Sequence, residues 1–297
     1  MPARYWELSV TIPDRASEGL TNFVWELGAL GVVEEETPGT PARLRAFFAD
    51  TADTATLTTR LDRYLASLRE LGFDGAGRTT MAPVAEEDWA EAWRAHFSPM
   101  NVGRSLVIAP PWETPRAPGR LVITIEPGRA FGTGQHGTTS GCLQLLEDAL
   151  GRCLPARAVD VGTGSGILAV AAARLGVASV LALDSDPDAV AAALANVARN
   201  HVADRVRCVL GDAATLPVEP APLVVANLLA AAHLQLAARY AEWVEPGGAL
   251  LLGGLLDHEA EAVTRAVVAC GFQPRAALSV EGWTSLEVTR APVHDRA

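Results

Sequence analysis

Three groups of residues in this chain have the type and spacing to do chemistry. The first is Gly162, Gly164 and Gly166, in the stretch Ala-Val-Asp-Val-Gly-Thr-Gly-Ser-Gly at 158–166, followed by an alanine-rich helical pattern at 167–175. An apolar run, a glycine turn and a helix form the nucleotide-binding unit of α/β domains, and glycines leave no Cβ between a ligand and the main chain. The second is Asp184, which closes the apolar run 179–183 and stands 184 − 162 = 22 residues beyond Gly162. A carboxylate at that distance, at the tip of the next strand, accepts hydrogen bonds from ribose hydroxyls. Asp-Ser-Asp-Pro at 184–187 is also an ordinary helix start. The third is Asn227, a neutral amide ending the run 223–227 before Leu-Leu-Ala.

The spacing narrows the ligand. The dinucleotide fingerprint G-x-G-x-x-G requires its third glycine at position 167, where this chain has Ile167. That departure disfavours a nicotinamide-dependent reductase. G-x-G-x-G is the loop common in methyltransferases that use S-adenosyl-L-methionine, where no pyrophosphate is seated on the following helix. Upstream, residues 126–140 hold four glycines and then two threonines before the apolar helical run 142–150. Thr138 or Thr139 can cap that helix, and free N–H groups at a helix start attract a carboxylate such as the methionine end of the cofactor. The same stretch also reads as a surface loop. His136 has no second His, Cys or paired carboxylate at ligand spacing, so no metal site is supported.

The elements that must position these groups follow a regular pattern. From residue 158 onward, strands and helices alternate: strands at 158–161, 179–184, 206–210, 223–227 and 249–252, and helices at 167–175, 188–200, 230–244 and 259–270. Alternating units predict a doubly wound parallel sheet with ligands at the carboxyl ends of its strands. Two last runs, 273–280 and 283–289, flank Glu281-Gly282, the signature of a closing antiparallel hairpin. Strand runs at 106–109 and 121–125 lead into this region, with 98–103 and 110–119 read as connectors. Before them, runs at 5–12, 16–30, 32–36, 43–48, 54–71 and 78–84 give the order βαββαβ, a ferredoxin-like pattern. Residues 86–97 place Trp89, Trp93 and Phe97 four apart on one helical face, an aromatic stripe suited to burial between two domains. The expected organisation is a small α+β domain at 1–84, a linker helix and connector at 85–103, and an α/β domain at 104–297.

Bulk properties exclude some function classes. Among 297 residues the formal charge is −11, which disfavours nucleic-acid and anionic-membrane binding and suits a basic protein partner. Cys142, Cys153, Cys208 and Cys270 are dispersed with no C-x-x-C pair, as expected of free thiols in a reducing cytoplasm. No apolar stretch approaches membrane length, and no signal-peptide pattern opens the chain.

Taken together, Asp-Trp-Ala-Glu-Ala-Trp at 88–93, the stretch 126–140 with its Phe-Gly-Thr-Gly-Gln-His-Gly-Thr-Thr core, Asp-Val-Gly-Thr-Gly-Ser-Gly-Ile-Leu-Ala at 160–169 and Val-Ala-Asn-Leu-Leu-Ala at 225–230 resemble the ribosomal protein L-eleven (L11) methyltransferase family. The resemblance covers essentially the whole chain. It implies a Rossmann-like domain that binds S-adenosyl-L-methionine (SAM), preceded by a ferredoxin-like domain that holds the substrate. The implied reaction is methylation of L11 at its N-terminal α-amine and at lysine ε-amines, releasing S-adenosyl-L-homocysteine. Thr139, Gly162, Asp184 and Asn227 match cofactor-contacting positions of the family, and Gly164 lies in the same loop. Gly137 departs from it, since many relatives carry Pro or Glu there. Asn227 also resembles the Asn of the N-P-P-Y motif in enzymes that methylate planar nitrogens. Here the prolines and the stacking aromatic are absent, which favours an aliphatic amine as acceptor. The competing expectations are a methyltransferase acting on RNA, a small molecule or another protein, and a non-catalytic SAM-binding partner of the ribosome.

Overall fold

The computed structural model describes residues 4–12, 17–35, 42–70, 79–85, 97–113, 115–127 and 137–292. The chain divides into two compact units, Met1–Ser98 and Pro99–Ala297. Several expected features lie outside the described residues: the turn at 37–41, the glycine-rich stretch 72–77, the aromatic-stripe helix apart from Phe97, and His136 with most of its loop. Among the described residues, no helix is long and apolar enough to cross a membrane.

The first unit runs β1 (Arg4–Ile12), α1 (Ser17–Glu26), β2 (Gly31–Glu35), β3 (Ala42–Ala49), α2 (Thr54–Glu70) and β4 (Thr79–Ala85). Its sheet is antiparallel throughout, in the order β2-β3-β1-β4. Alternate residues of the strands face the two helices: Leu8 and Val10 of β1 and Leu44, Ala46 and Phe48 of β3 pack with Leu20 and Val24 of α1 and Leu57, Leu61 and Leu65 of α2. Asp53 starts α2 by accepting from the backbone N–H of Ala55 and Thr56 at 3.1 and 3.3 Å. Also on β3, the fork of Arg45 takes Glu7 of β1 with two bonds, of 2.8 and 2.7 Å.

The second unit opens on a small sheet of β5 (Met100–Val102), β6 (Leu106–Ala109) and β7 (Leu121–Thr124), with β5 antiparallel and β7 parallel to β6. Residues 98–103 were expected to be a plain connector, but they hold β5. Val102 is buried in the core, and the flanking Pro99 and Gly103 hide a strand this short. The rest of the unit comprises α3 (Gly137–Arg152), β8 (Arg157–Val161), α4 (Ile167–Arg174), β9 (Ser179–Asp184), α5 (Pro187–Arg199), β10 (Val206–Leu210), β11 (Ala221–Asn227), α6 (Ala230–Trp243), β12 (Val244–Leu256), α7 (Ala260–Ala269), β13 (Phe272–Val280) and β14 (Trp283–Arg290). Seven strands form one sheet in the order β10-β9-β8-β11-β12-β14-β13. All pairings are parallel except those of β14, which runs antiparallel to both neighbours. Glu281 and Gly282 turn the last hairpin with φ of 54° and 83°.

Both faces of this sheet are covered, as alternation demands. Val225 of β11 and Leu251 of β12 point to the layer of α3 and α4. Their neighbours Val224, Ala226, Leu250 and Leu252 point to the layer of α6 and α7, where Tyr240 and Trp243 are fully buried. Leaving β8 the chain moves outward on one side through β9 and β10, and on the other through β11 and β12. The loops between β8 and α4 and between β11 and α6 therefore meet at the carboxyl ends of adjacent strands, where a doubly wound sheet opens its crevice.

Candidate functional site

The glycine loop sits where the sequence places it. Gly162, Gly164 and Gly166 all take positive φ, of 68°, 54° and 83°. Gly166 ends the turn and starts α4, and a Cβ there would also crowd the backbone of Ala193 on α5 at 3.1 Å. Asp184 lies beside the loop and braces it: Oδ2 accepts from Gly164 N at 2.9 Å and Oδ1 from Asp186 N at 3.0 Å. Asp186 rather than Asp184 caps α5, accepting from Asp188 N at 2.9 Å with Pro187 in the first helical position. Each oxygen of Asp184 thus holds one backbone N–H and keeps lone-pair capacity for further donors.

At the base of the loop Asp160 is buried. Its Oδ2 accepts from the Thr163 hydroxyl at 2.6 Å and from Ala169 N at 3.1 Å, while Oδ1 has no partner among the described residues. Burial pushes this carboxyl up to about 6; the two hydrogen bonds oppose the rise and the nearby Asp184 adds to it. Asn196 of α5 and Asn200, which caps its C-terminus, peg the incoming chain to the same place. Asn196 donates to Ser165 O at 2.9 Å and accepts from Glu126 N at 3.0 Å, and Asn200 accepts from Thr124 N at 2.8 Å and donates to Thr124 O at 2.6 Å.

The second half of the site is built on β11, β12 and α3. Asn227 ends β11, and Leu228 after it places its side chain against Gly162, so the two loops touch. The amide of Asn227 is held on both sides: Oδ1 accepts from the Thr138 hydroxyl at 2.7 Å and Nδ2 points to Thr139 Oγ1 at 3.4 Å. Sequence reasoning expected one of these threonines to cap the helix. α3 instead includes both in its first turn, and the Thr138 hydroxyl is engaged across the site, accepting from Gly254 N as well. Thr139 is fully buried. Gly137 backs onto the Val280 carbonyl oxygen, 2.6 Å from where a Cβ would stand.

Gly253 and Gly254 lie where β12 slips one residue against β14. A Cβ on Gly253 would stand 2.8 Å from Asn227 Oδ1 and 3.0 Å from Thr138 Oγ1; Gly254 has φ 79°, and a Cβ on it would overlap the Leu228 carbonyl oxygen. Behind this bulge His233 of α6 is wholly buried between Gly253 O, 2.7 Å from Nε2, and Tyr240 OH, 2.8 Å from Nδ1. Burial holds its pKa down to about 4, although the Gly253 and Leu228 carbonyls favour a proton. Sequence reasoning missed His233, Thr138 as a partner of Asn227, and the glycine pair. A Gly-Gly doublet inside an apolar strand run was the available signal, because such a doublet marks a bulge or a close backbone approach.

Chemically, the arrangement offers a glycine cradle with two carboxylates, Asp160 and Asp184, and a fixed neutral amide facing it from the next strand. Among the described residues, no group of three His, Cys, Asp or Glu could hold a metal. A cavity of about 370 Å³ between Arg152, Glu245, Arg275 and Glu287 lies elsewhere in the unit, against the opposite ends of the strands. The convergence of loop, amide and carboxylates makes the carboxyl-end crevice the stronger candidate.

The comparisons point the same way. A family model described as ribosomal protein L11 methyltransferase (PrmA) matches residues 4–291. The chain is 39% identical over 302 residues to the ribosomal protein L11 methyltransferase of Geobacter sulfurreducens, spanning 96% of this chain and 98% of that one. It is 35% identical over 315 residues to the protein of the same name from Exiguobacterium sibiricum, spanning 97% and 99%. Among solved structures it is similar to a ribosomal protein L11 methylase from Lactobacillus delbrueckii subsp. bulgaricus, with a TM-score of 0.60 and 31% identity over 66% of this chain and all of that one.

Proposed function

Because the chain belongs to the ribosomal protein L11 methyltransferase family, we propose that it methylates the N-terminal α-amine and lysine ε-amines of ribosomal protein L11. The cofactor is SAM and the product S-adenosyl-L-homocysteine. One observation carries the choice of aliphatic amines: the amide of Asn227 is fixed by Thr138 and Thr139, yet Leu228, Leu229 and Ala230 follow it with no ring on which a planar acceptor could stack.

The residues present fit the cofactor. The loop of Gly162 and Gly164 admits a ligand against its backbone, Asp184 keeps acceptor capacity for ribose hydroxyls, and the unpartnered Oδ1 of Asp160 is an acceptor in waiting at the loop's base. When bound, SAM supplies an electrophilic methyl group on a sulfonium. The chain's own residues supply proximity and alignment. Asn227 Oδ1 accepts one hydrogen from Thr138 and retains a second lone pair for a hydrogen of the acceptor amine, which aims the nitrogen lone pair.

That amine must be neutral to attack. A lysine with a pKa of about 10.4 sheds its proton at a cost of roughly 5 kcal/mol at neutral pH, and an α-amine near ~8 at about 1 kcal/mol; desolvation lowers both. No general base is assigned, and His233 is not one, because both ring nitrogens are engaged and the ring is inaccessible.

The βαββαβ order and the strand order β2-β3-β1-β4 support reading the first unit as ferredoxin-like. We assign residues 1–84 to recognition of L11, 85–98 to a linker and the second unit, from Pro99 onward, to catalysis. A net charge of −11 supports a basic protein rather than nucleic acid as the partner, and dispersed free cysteines support a cytoplasmic location.

Incubating the full chain with methyl-labelled SAM and total ribosomal components tests this reading. Label is expected in the L11 band, on its α-amine and lysines. Label in RNA or in another protein instead would overturn it. For the cofactor half of the site, Asp184→Ala is expected to weaken SAM binding by about 1.5–3 kcal/mol, the range for hydrogen bonds to a charged group, with the domain still folded. Calorimetry giving wild-type affinity would remove Asp184 from the cofactor's partners.

A further inference from the structure

A single peptide unit joins the buried and exposed halves of the site. Gly253 contributes its carbonyl oxygen, which accepts from His233 Nε2 at 2.7 Å, and Gly254 contributes its N–H, which donates to the Thr138 hydroxyl. Thr138 in turn donates to Asn227 Oδ1 at 2.7 Å. On the far side of the imidazole, Nδ1 stands 2.8 Å from the Tyr240 hydroxyl, which is itself fully buried.

With the imidazole neutral, the Gly253 carbonyl sets the direction of the hydrogens in this chain. A carbonyl oxygen can only accept, so Nε2 carries the proton of the neutral ring; Nδ1 then accepts from Tyr240 O–H. The order runs Tyr240 to His233, through the peptide of Gly253 and Gly254, to Thr138 and on to Asn227. Hydrogen bonds in series polarise one another, most strongly where water is excluded. The absence of a side chain on Gly253 lets the peptide come this close, since a Cβ would press on Asn227 Oδ1 and Thr138 Oγ1 together.

We propose that the Tyr240–His233 pair is a positioning device for Asn227, acting through the Gly253–Gly254 peptide and Thr138. The proposal rests on the reading of Asn227 as the group that aims the acceptor amine. His233 and Tyr240 touch neither cofactor nor acceptor. Their work is to fix the peptide, and through it which face of the Asn227 amide receives the Thr138 hydrogen and which lone pair is left free. A buried imidazole suits this task, because it offers one donor and one acceptor on opposite edges of a rigid ring.

A double-mutant cycle on the full-length enzyme tests it, with kcat, KM for L11 and SAM affinity measured for Thr138→Val, Tyr240→Phe and the pair. Tyr240→Phe removes only a hydroxyl, and Thr138→Val puts a methyl group in the place of one. Each is expected to lower kcat about 3- to 10-fold, the worth of one hydrogen bond, with KM and SAM affinity unchanged. The pair should be no worse than Thr138→Val alone, and Thr138→Ser should restore wild-type turnover. Losses that multiply in the pair, or a Tyr240→Phe enzyme with wild-type kcat, overturn the relay. Asn227→Ala runs alongside: full turnover there overturns the site reading itself, whereas a crippled Asn227→Ala with a multiplicative cycle rejects the relay alone. A measurement independent of any variant's folding is the nitrogen spectrum of wild-type His233. The Nε2–H tautomer is expected, and the Nδ1–H tautomer rejects the proposal.

Discussion

Asn227→Ala is expected to lower kcat for L11 methylation about 10²-fold while SAM affinity stays near the wild-type value. The magnitude is that of misplacing a reacting group by about an ångström, which is what loss of a fixed acceptor beside the crevice would do to an amine. The asymmetry between the two constants follows from the geometry. Asn227 is tied to α3 through Thr138 and Thr139, whereas the glycine loop and Asp184 are braced by β9 and α5 without it. Removing the amide therefore leaves the cofactor cradle standing. Because Gly253 and Thr138 lose a neighbour, a melting curve must accompany the kinetics. Equal losses in turnover and in SAM affinity would make Asn227 a cofactor or folding residue instead.

Removal of residues 1–84 is expected to abolish methylation of folded L11 and to spare SAM binding. The argument is geometric. One active site must receive a flexible N-terminus and side-chain amines elsewhere on the same folded substrate, and a single docking pose cannot present these in turn. A separate unit that grips the substrate and moves it over a fixed site resolves the difficulty. The catalytic half has its own core on both faces of its sheet, so it has the means to fold without the first unit. Solubility of the truncated chain is the control. A soluble 85–297 fragment that methylated folded L11 at the intact enzyme's rate would falsify the recognition role.

The legible parts of the molecule were those written in short-range patterns. Positive φ at Gly162, Gly164 and Gly166 is a local demand, so the loop and the strand before it could be placed from spacing alone. The β-α alternation after residue 158 likewise fixes a parallel sheet, and Glu281-Gly282 a hairpin turn. What stayed hidden depends on pairings distant in sequence. Thr138 and Asn227 are 89 residues apart, Thr138 and Gly254 116, and no periodicity links them. His233 reads as one polar residue on an amphipathic helix, and only the register of β12 against β14 makes it the prop of a bulge. Asn196 and Asn200 look like the polar face and end of α5, yet both are buried, with their amides bonded to the backbone of Thr124, Glu126 and Ser165. Asp184 was correctly placed at the strand tip, but its bracing of Gly164 follows from the fold of the loop rather than from any motif.

The position of β14 between β12 and β13 has a consequence for how the protein is made. Trp283–Arg290 is the last strand of the sheet to be synthesised, yet it is an interior one. Until it arrives, β12 presents an open edge along Leu250, Leu251, Leu252 and Leu255, all of them buried in the finished fold. An apolar strand edge of that kind is where nascent chains pair with one another. The first unit carries no such delay, since its sheet, from β1 to β4, is complete by residue 85. Vectorial synthesis thus delivers a finished N-terminal unit well before the catalytic sheet can close, and a ribosome stalled between β12 and β14 would hold the species most prone to aggregate.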